Sequence, residues 1–467
     1  IRDYLNAGEQ LKLGILIEDI NQDDYEATGL IYKLVEKYGV INAPVVFFDK
    51  IKTSGKIFHN ASTGNLFGKW ELEALALGLS IDPSSPQKNY ENGSWTTIKP
   101  KEIPLESSPC KENILKENEI DLLDFPFLKT NPGDNGQYIN TGSVILQDEE
   151  LGRNVGTYRC QIKDKKKIGI NPQINQDGWK FLKKLREQGK KFANAAIVLG
   201  TDPITFSLSG SKVAKYGEDE LEIAGGLMGE AIEIVECETS NIYVPAHAEL
   251  IIEGEIPLNE FESEGPFGEM YGYLGANQKE NFFLNVKSIS HRNNPIIPNQ
   301  FTGITRGCHT APIEGNLNRK FRDQFDEFVS LHYPLEYPGF CFVKIKDSST
   351  DRAIEIGESI TTALKISKMT VLLDVYVVIV NLNDVLHAIG SRWQPNRSSK
   401  IVDEANGLSG DPSSTERGKG SRIIINATRN ATEQVNGKPF PKMNIEILKE
   451  EFPNVMEAVE IKFRKFL

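Results

Sequence analysis

FESEGPFGEMYGY, residues 261–273, sets two carboxylates, Glu264 and Glu269, either side of a four-residue GPFG link, with Glu262 just ahead of them. Gly265 and Gly268 permit backbone torsions closed to other residues, and Pro266 stiffens the link between them. Five positions apart on a tight, rigid turn, two carboxylates can converge on one point instead of splaying into water. Apolar Phe267, Met270 and Tyr271 would then desolvate them, the condition under which a carboxyl group stays protonated and serves as a general acid. A solvated acidic hairpin is the other reading of the same letters. Spacing alone leaves both open.

A second unusual stretch is NVGTYRCQI, residues 154–162. As a strand, its alternation sends Tyr158 and Cys160 to one face and Arg159 and Gln161 to the other. The arginine is then a surface residue or a buried cation, and a buried guanidinium needs an anion. Glu264, Glu269 and a substrate carboxylate are the candidates. EDELEIAGG (218–226) reads as an acidic helix start near the positive end of the macrodipole, or as a source of metal ligands. NLNDVLHAIGSRWQPNR (381–397) carries Arg392 and Arg397 about a Trp-Gln-Pro turn, two exposed arginines or a grip for phosphate.

Around these stretches lie 467 residues, too many for one core and enough for two or three domains. A hydrophobic content of 39% with 25% charged residues is ordinary for a soluble globular chain. The net charge of −12 argues against non-specific binding to nucleic acid or to an anionic membrane. The longest apolar run, VLLDVYVVIV (371–380), is broken by Asp374 and falls well short of the roughly 20 residues of a bilayer span. The opening IRDYLNAGEQ lacks the form of a signal peptide. Five cysteines without CxxC spacing point to reduced thiols, so a cytoplasmic protein is expected.

The first hundred residues mix elements: a helix over 23–40 closed by Gly39, a strand over 43–51, and a helix over 69–80. Residues 81–110, rich in Pro, Ser, Asn and Gly, have the composition of a linker. From about 115 to 315, short β-rich runs recur at 137–147, 154–162, 194–200, 230–237, 248–257 and 281–291. With a helix at 179–190 inserted, this is the pattern of a β-barrel or sandwich. The remainder alternates again: helix over 319–334, strand over 338–346, helix over 353–367, a buried strand or strand pair over 370–380, and helix over 383–393. The tail reads as an amphipathic helix that Pro453 must break, docked either on a partner subunit or on its own domain.

Taken in this order, the four stretches resemble the UbiD family of reversible decarboxylases, which includes ferulic acid decarboxylase and uses prenylated FMN. NxGTYR at 154–159, followed about a hundred residues later by EGPFGExxGY at 264–273, is specific to it. The likeness runs from DYLN near the start to LNDVLHAIGSR. It implies a multidomain α+β and α/β protein. An N-terminal α/β domain with linker (1–110) precedes a central split β-barrel, flavin reductase-like and cofactor-holding (111–317). A C-terminal α/β oligomerisation domain with a terminal helix (318–467) would build homodimers or homohexamers.

The resemblance also assigns roles. Arg159 and Glu264 would form an ion pair near the flavin, with Glu269 supplying the proton that replaces CO2. The cofactor phosphate would be held through Mn2+ or Mg2+, with K+ close by near Ser209. Asn154 and Glu220 match metal ligands. The third ligand, usually a histidine, falls on Asn175 or Ile174. Tyr158 and Gln173 would lie by the cofactor and Arg392 by its phosphate. Met270, Cys308, His309 and Thr310 would line the pocket of an aromatic, heteroaromatic or α,β-unsaturated acid, and a flavin prenyltransferase would supply the cofactor. Two rivals remain: glycoside hydrolysis, which also needs paired carboxylates, and a flavin carrier or accessory subunit without turnover.

Overall fold

Strand Phe192–Leu199 shows how the centre of the protein is built. Ala195, Ile197 and Leu199 join one core with Val144, Leu146, Leu250 and Ile252 from neighbouring strands. The alternate residues Ala196 and Val198 join a second core with Ile145 and Ile251. A strand covered on both faces has no polar side to show, which is why this segment reads as continuously apolar. In this computed structural model, residues 1–466 are described apart from 11, 67–69, 83–84, 93–95, 175, 212, 306–309, 407–410, 415 and 417; residues 70, 85, 310 and 404–406 are described by their backbone alone.

The sheet has ten strands. Eight follow one another in the order Tyr138–Ile139, Cys160–Asp164, Lys167–Ile170, Gln278–His291, Leu250–Pro257, Phe192–Leu199, Ser143–Asp148 and Gly152–Thr157. Asn113–Lys116 and Glu262–Glu264 pair additionally with Gln278–His291. Every β-rich run expected from the sequence therefore contains a strand, though Glu233–Glu236 belongs to a separate three-stranded sheet. Among the described residues the pairing does not close, so the centre is an open sheet and not a closed barrel. Helices Asp177–Glu187, Pro203–Gly210 and Glu220–Met228 pack against its edge strand Gly152–Thr157.

The chain condenses into two units. The larger comprises Ile1–Gln324, Tyr333–Gly339 and Glu404–Gly420. Besides the central sheet it holds a five-stranded sheet built on Val45–Thr53 and Lys56–Gly64, with helix Glu26–Tyr38 closing at Gly39, where φ is +81°. The smaller unit comprises Phe325–His332, Phe340–Asp403 and Ser421–Leu467. Its sheet is covered on one face by helix Leu382–Arg392, whose Val385 and Ala388 meet Phe342, Val371 and Leu373. Helix Thr350–Ala363 covers the other, with Gly357 so near Ile424 that a Cβ there would stand 2.5 Å from its side chain.

Three expectations are corrected. The stretch 81–110 is not merely a linker: it forms helix Ser85–Asn92, whose Tyr90 is fully buried, and strand Lys101–Glu102. That helix approaches Thr310–Gln324 so closely at Gly315 that a Cβ would lie 2.6 Å from Tyr90 Cβ. The helix expected over 319–334 ends at Gln324, and Phe328–His332 is a strand. Over 370–380 the strand stops at Asp374, because the Asp374 carboxylate collects the Tyr376 hydroxyl (2.9 Å), Arg392 (2.5 Å) and the Arg429 N–H. The tail divides as Pro453 requires, into Asn444–Glu451 and Val455–Phe463, and neither helix buries a residue.

Candidate active site

Arg159 occupies the two-residue gap between strands Gly152–Thr157 and Cys160–Asp164. Tyr158 and Cys160 turn into the core, and the guanidinium leaves on the opposite side. There Arg159 donates from Nε to Glu264 Oε1 at 3.0 Å and from Nη2 to Oε2 at 2.8 Å, a bidentate fork. Its Nη1 donates to Glu269 Oε1. Burial alone would lower the guanidinium pKa, but the bonds and charge of Glu264, then of Glu269, hold it raised. One cation thus gathers both acids, and the solvated hairpin is excluded: the Glu264 side chain is 1% exposed and that of Glu269 19%.

The link between the acids explains the convergence. Gly265 adopts φ +91°, closed to residues with a Cβ. Phe267 is the anchor. Its ring lies 5.0 Å from the Arg159 guanidinium carbon and 4.4 Å from the Tyr138 ring, which turns the segment inward. Phe267–Gly268 pairs with Leu274–Gly275 as a short hairpin that brings Glu269 back beside Arg159. The Glu269 N–H donates to Tyr273 O at 2.8 Å. A Cβ at Gly275 would stand 2.6 Å from Glu269 Cγ, so the glycine makes room for the acid.

Two supporting residues had no signature in the sequence. Asn171 donates from Nδ2 to Glu264 Oε2 at 3.0 Å and from its backbone N–H to Arg159 O at 3.2 Å, so it ties both halves of the ion pair. Tyr138 is held neutral: burial, then the charge of Glu264, pushes its phenol pKa up.

A second cluster lies around Asn154 and Val155, at the start of the same motif. Glu220 opens helix Glu220–Met228 behind the cap residue Asp219, and its Oε2 accepts the Val155 N–H at 2.9 Å. Burial pushes the Glu220 carboxyl up to about 8. Asn154 Oδ1 is buried without a partner. A buried acid and an orphaned hard oxygen, contributed by one residue and by the neighbour of the other's hydrogen-bond donor, fit a divalent cation. Among the described residues no group of three His, Cys, Asp or Glu could hold a metal. Ile174 is exposed and apolar, and Asn175 lies outside the described residues.

The remaining candidates are dispersed. Tyr158 is buried between Gly156 and Gly178, and its hydroxyl accepts the Gly178 N–H at 2.9 Å. Gln173 is half-buried, its N–H bonded to Gln176 Oε1 at 2.7 Å. The Ser209 hydroxyl sits 2.8 Å from that of Ser143 and 2.7 Å from that of Thr157. Arg392 belongs to the smaller unit, where it is buried against Asp374. Met270 is exposed at the hairpin turn, beside Glu269. Cys308 and His309 lie outside the described residues, and Thr310 opens helix Thr310–Gln324.

The open two-faced sheet thus bears a carboxylate–guanidinium–carboxylate set, and the chain belongs to the UbiD family of carboxy-lyases. Residues 101–305 match the 3-octaprenyl-4-hydroxybenzoate carboxy-lyase Rift-related domain, and 309–427 match the C-terminal domain of the same carboxy-lyase. A phenolic acid decarboxylase of Sedimentibacter hydroxybenzoicus is 30% identical over 92% of this chain and 91% of its own. The vanillic acid decarboxylase of that organism, solved in closed form, superposes with a TM-score of 0.82 at 26% identity, covering 97% of this chain and 98% of the other. The UbiD-class enzyme HmfF from Pelotomaculum thermopropionicum, solved with FMN, superposes with a TM-score of 0.80 at 25% identity, covering 91% and 93%. No described helix is long and apolar enough to cross a membrane.

Proposed function

We propose that the protein catalyses reversible, non-oxidative decarboxylation of an aromatic carboxylic acid with prenylated FMN, and that Glu269 delivers the proton. The observation that carries this is a difference in access. Arg159 binds both acids, yet the Glu264 side chain is sealed at 1% exposure while that of Glu269 keeps 19%. Glu264, bonded twice to Arg159 and once to Asn171, is a fixed counter-charge. Glu269 is the acid that a bound substrate can reach.

When bound, prenylated FMN supplies the sink for the electron pair left as CO2 departs. The Arg159 guanidinium orients the substrate carboxylate while Glu264 holds that guanidinium in place. Glu269 gives its carboxyl proton to the carbon that lost CO2, so that RCOO⁻ and one proton become RH and CO2. It is then reprotonated from solvent, and in carboxylation the transfer runs backwards. Asn154 and Glu220, with Asn175 as third ligand, would hold Mn2+ or Mg2+, whose charge would offset that of the cofactor phosphate; K+ near Ser209, and Arg392, Tyr158 and Gln173 at the cofactor, would complete the assignment. The relatives' substrates support a phenolic acid. The reading includes a split-barrel cofactor domain at 111–317 between 1–110 and 318–467, a homodimer or homohexamer, a flavin prenyltransferase as supplier, and a cytoplasmic setting. A carrier without turnover would need none of the Arg159, Glu264 and Glu269 set.

Co-expression with a flavin prenyltransferase, followed by CO2 release from a panel of phenolic and other aromatic acids, tests the activity. Wild type should turn over at least one acid, and Glu269→Gln should keep the flavin and lose turnover. Undiminished activity in Glu269→Gln would remove it as proton donor.

A further inference from the structure

Glu269 stands in a hairpin only two residue pairs long, too short to fix a side chain by itself. What holds it lies in a distant loop. Asp134 accepts the Gly268 N–H at Oδ1 (2.7 Å) and, at Oδ2, the Asn131 N–H (2.9 Å) and the Thr130 hydroxyl (3.3 Å). Next to it, the Asn135 N–H donates to Pro266 O at 2.9 Å. Tyr138, at the end of the loop, packs on Phe267. Gly133 lies so near Leu274 that a Cβ would stand 2.9 Å from its Cδ1. The loop thus grips the hairpin on both sides of Glu269.

Asp134 is 3% exposed, and burial raises its pKa against the pull of its donors. An apolar residue would fill this place at less desolvation cost, but it would release the Gly268 N–H. That N–H belongs to the Phe267–Gly268 peptide, so Asp134 anchors the backbone from which Glu269 departs, while the Glu269 N–H is held by Tyr273 O.

We propose that Asp134 is a positioning residue for proton transfer, holding the Phe267–Gly268 peptide, one residue ahead of Glu269, so that the Glu269 carboxyl faces the carbon that loses CO2. This rests on the reading of Glu269 as proton donor. A misplacement of about 1 Å costs on the order of 10²-fold in rate.

The test uses the flavin-loaded full chain. Asp134→Ala should lower kcat roughly 100-fold, with KM and flavin content as in wild type. Asp134→Asn keeps an oxygen for the Gly268 N–H and should recover most of that loss. Asp134→Glu keeps the charge but shifts the acceptor by one methylene; it should lower kcat without changing KM and carries the test if Asp134→Ala fails to fold. Thr130→Val removes a donor from the other oxygen and should leave kcat unchanged. Wild-type kcat in Asp134→Ala or Asp134→Glu, or kcat, KM and flavin content deteriorating together with no recovery in Asp134→Asn, overturns the proposal. Activity in Glu269→Gln would instead sink the proton-donor reading, so the two failures are distinguishable.

Discussion

Removing Glu264 should cost more than the bonds it makes. Glu264→Leu strips two charge-assisted bonds of 3.0 and 2.8 Å from a guanidinium that is 10% exposed, leaving Glu269 as its one anionic partner among the described residues. Arg159→Met leaves the Glu264 carboxylate buried with the Asn171 amide. Breaking a buried ion pair from one side costs about 3–5 kcal/mol, whereas replacing both charges by apolar side chains costs far less. The larger unit has about 350 residues, so its unfolding entropy is roughly 0.7 kcal/mol per kelvin. Each single variant should therefore lower its Tm by about 4–7 °C, and the double variant by clearly less than the two drops combined. Scanning calorimetry of the cofactor-free protein reads this directly. Shifts below about 1 °C in both singles, or shifts that simply add, would refute the claim that the pair is a buried, coupled unit.

Gly275→Ala should push Glu269 aside, since the new Cβ would lie 2.6 Å from its Cγ; steady-state kinetics should show a fall in kcat on the order of 10²-fold at unchanged flavin content. Mn2+ at about 100 times its Kd should stabilise wild type by roughly 2.7 kcal/mol, read as a rise in Tm, and Asn154→Ala should lose that rise. Burial pushes the Cys110 thiol from 9.0 up to about 12. Because the folded value is the higher one, its contribution is whole below pH 9 and is lost as pH climbs from 9 to about 12. Denaturation midpoints should fall across that window, and Cys110→Ala should flatten the fall.

What could be read from the letters and what could not divide along physical lines. The β-rich runs were legible because burial on one or both faces leaves a local pattern, as in NAAIVLG. Arg159, Glu264 and Glu269 stood out because glycine, proline and charge in one short stretch are locally odd. Helix Ser85–Asn92 was hidden in a linker-like composition, since its one large buried residue, Tyr90, finds its partner at Gly315. The turn after Asp374 was hidden by a β-prone sequence, because what stops the strand is a carboxylate collecting groups from as far away as Arg429. Asp134 and Asn171 act through single hydrogen bonds to residues about a hundred positions away, and no spacing rule marks such a partner.

Strand Gln278–His291 pairs with Asn113–Lys116, Lys167–Ile170, Leu250–Pro257 and Glu262–Glu264. During synthesis, the earlier strands must wait with open edges until residue 291 has left the ribosome. Contacts so remote in sequence form slowly, and unpaired edges invite association between nascent chains. Chaperone supply should therefore govern the soluble yield of this protein, and truncations ending before residue 278 should aggregate.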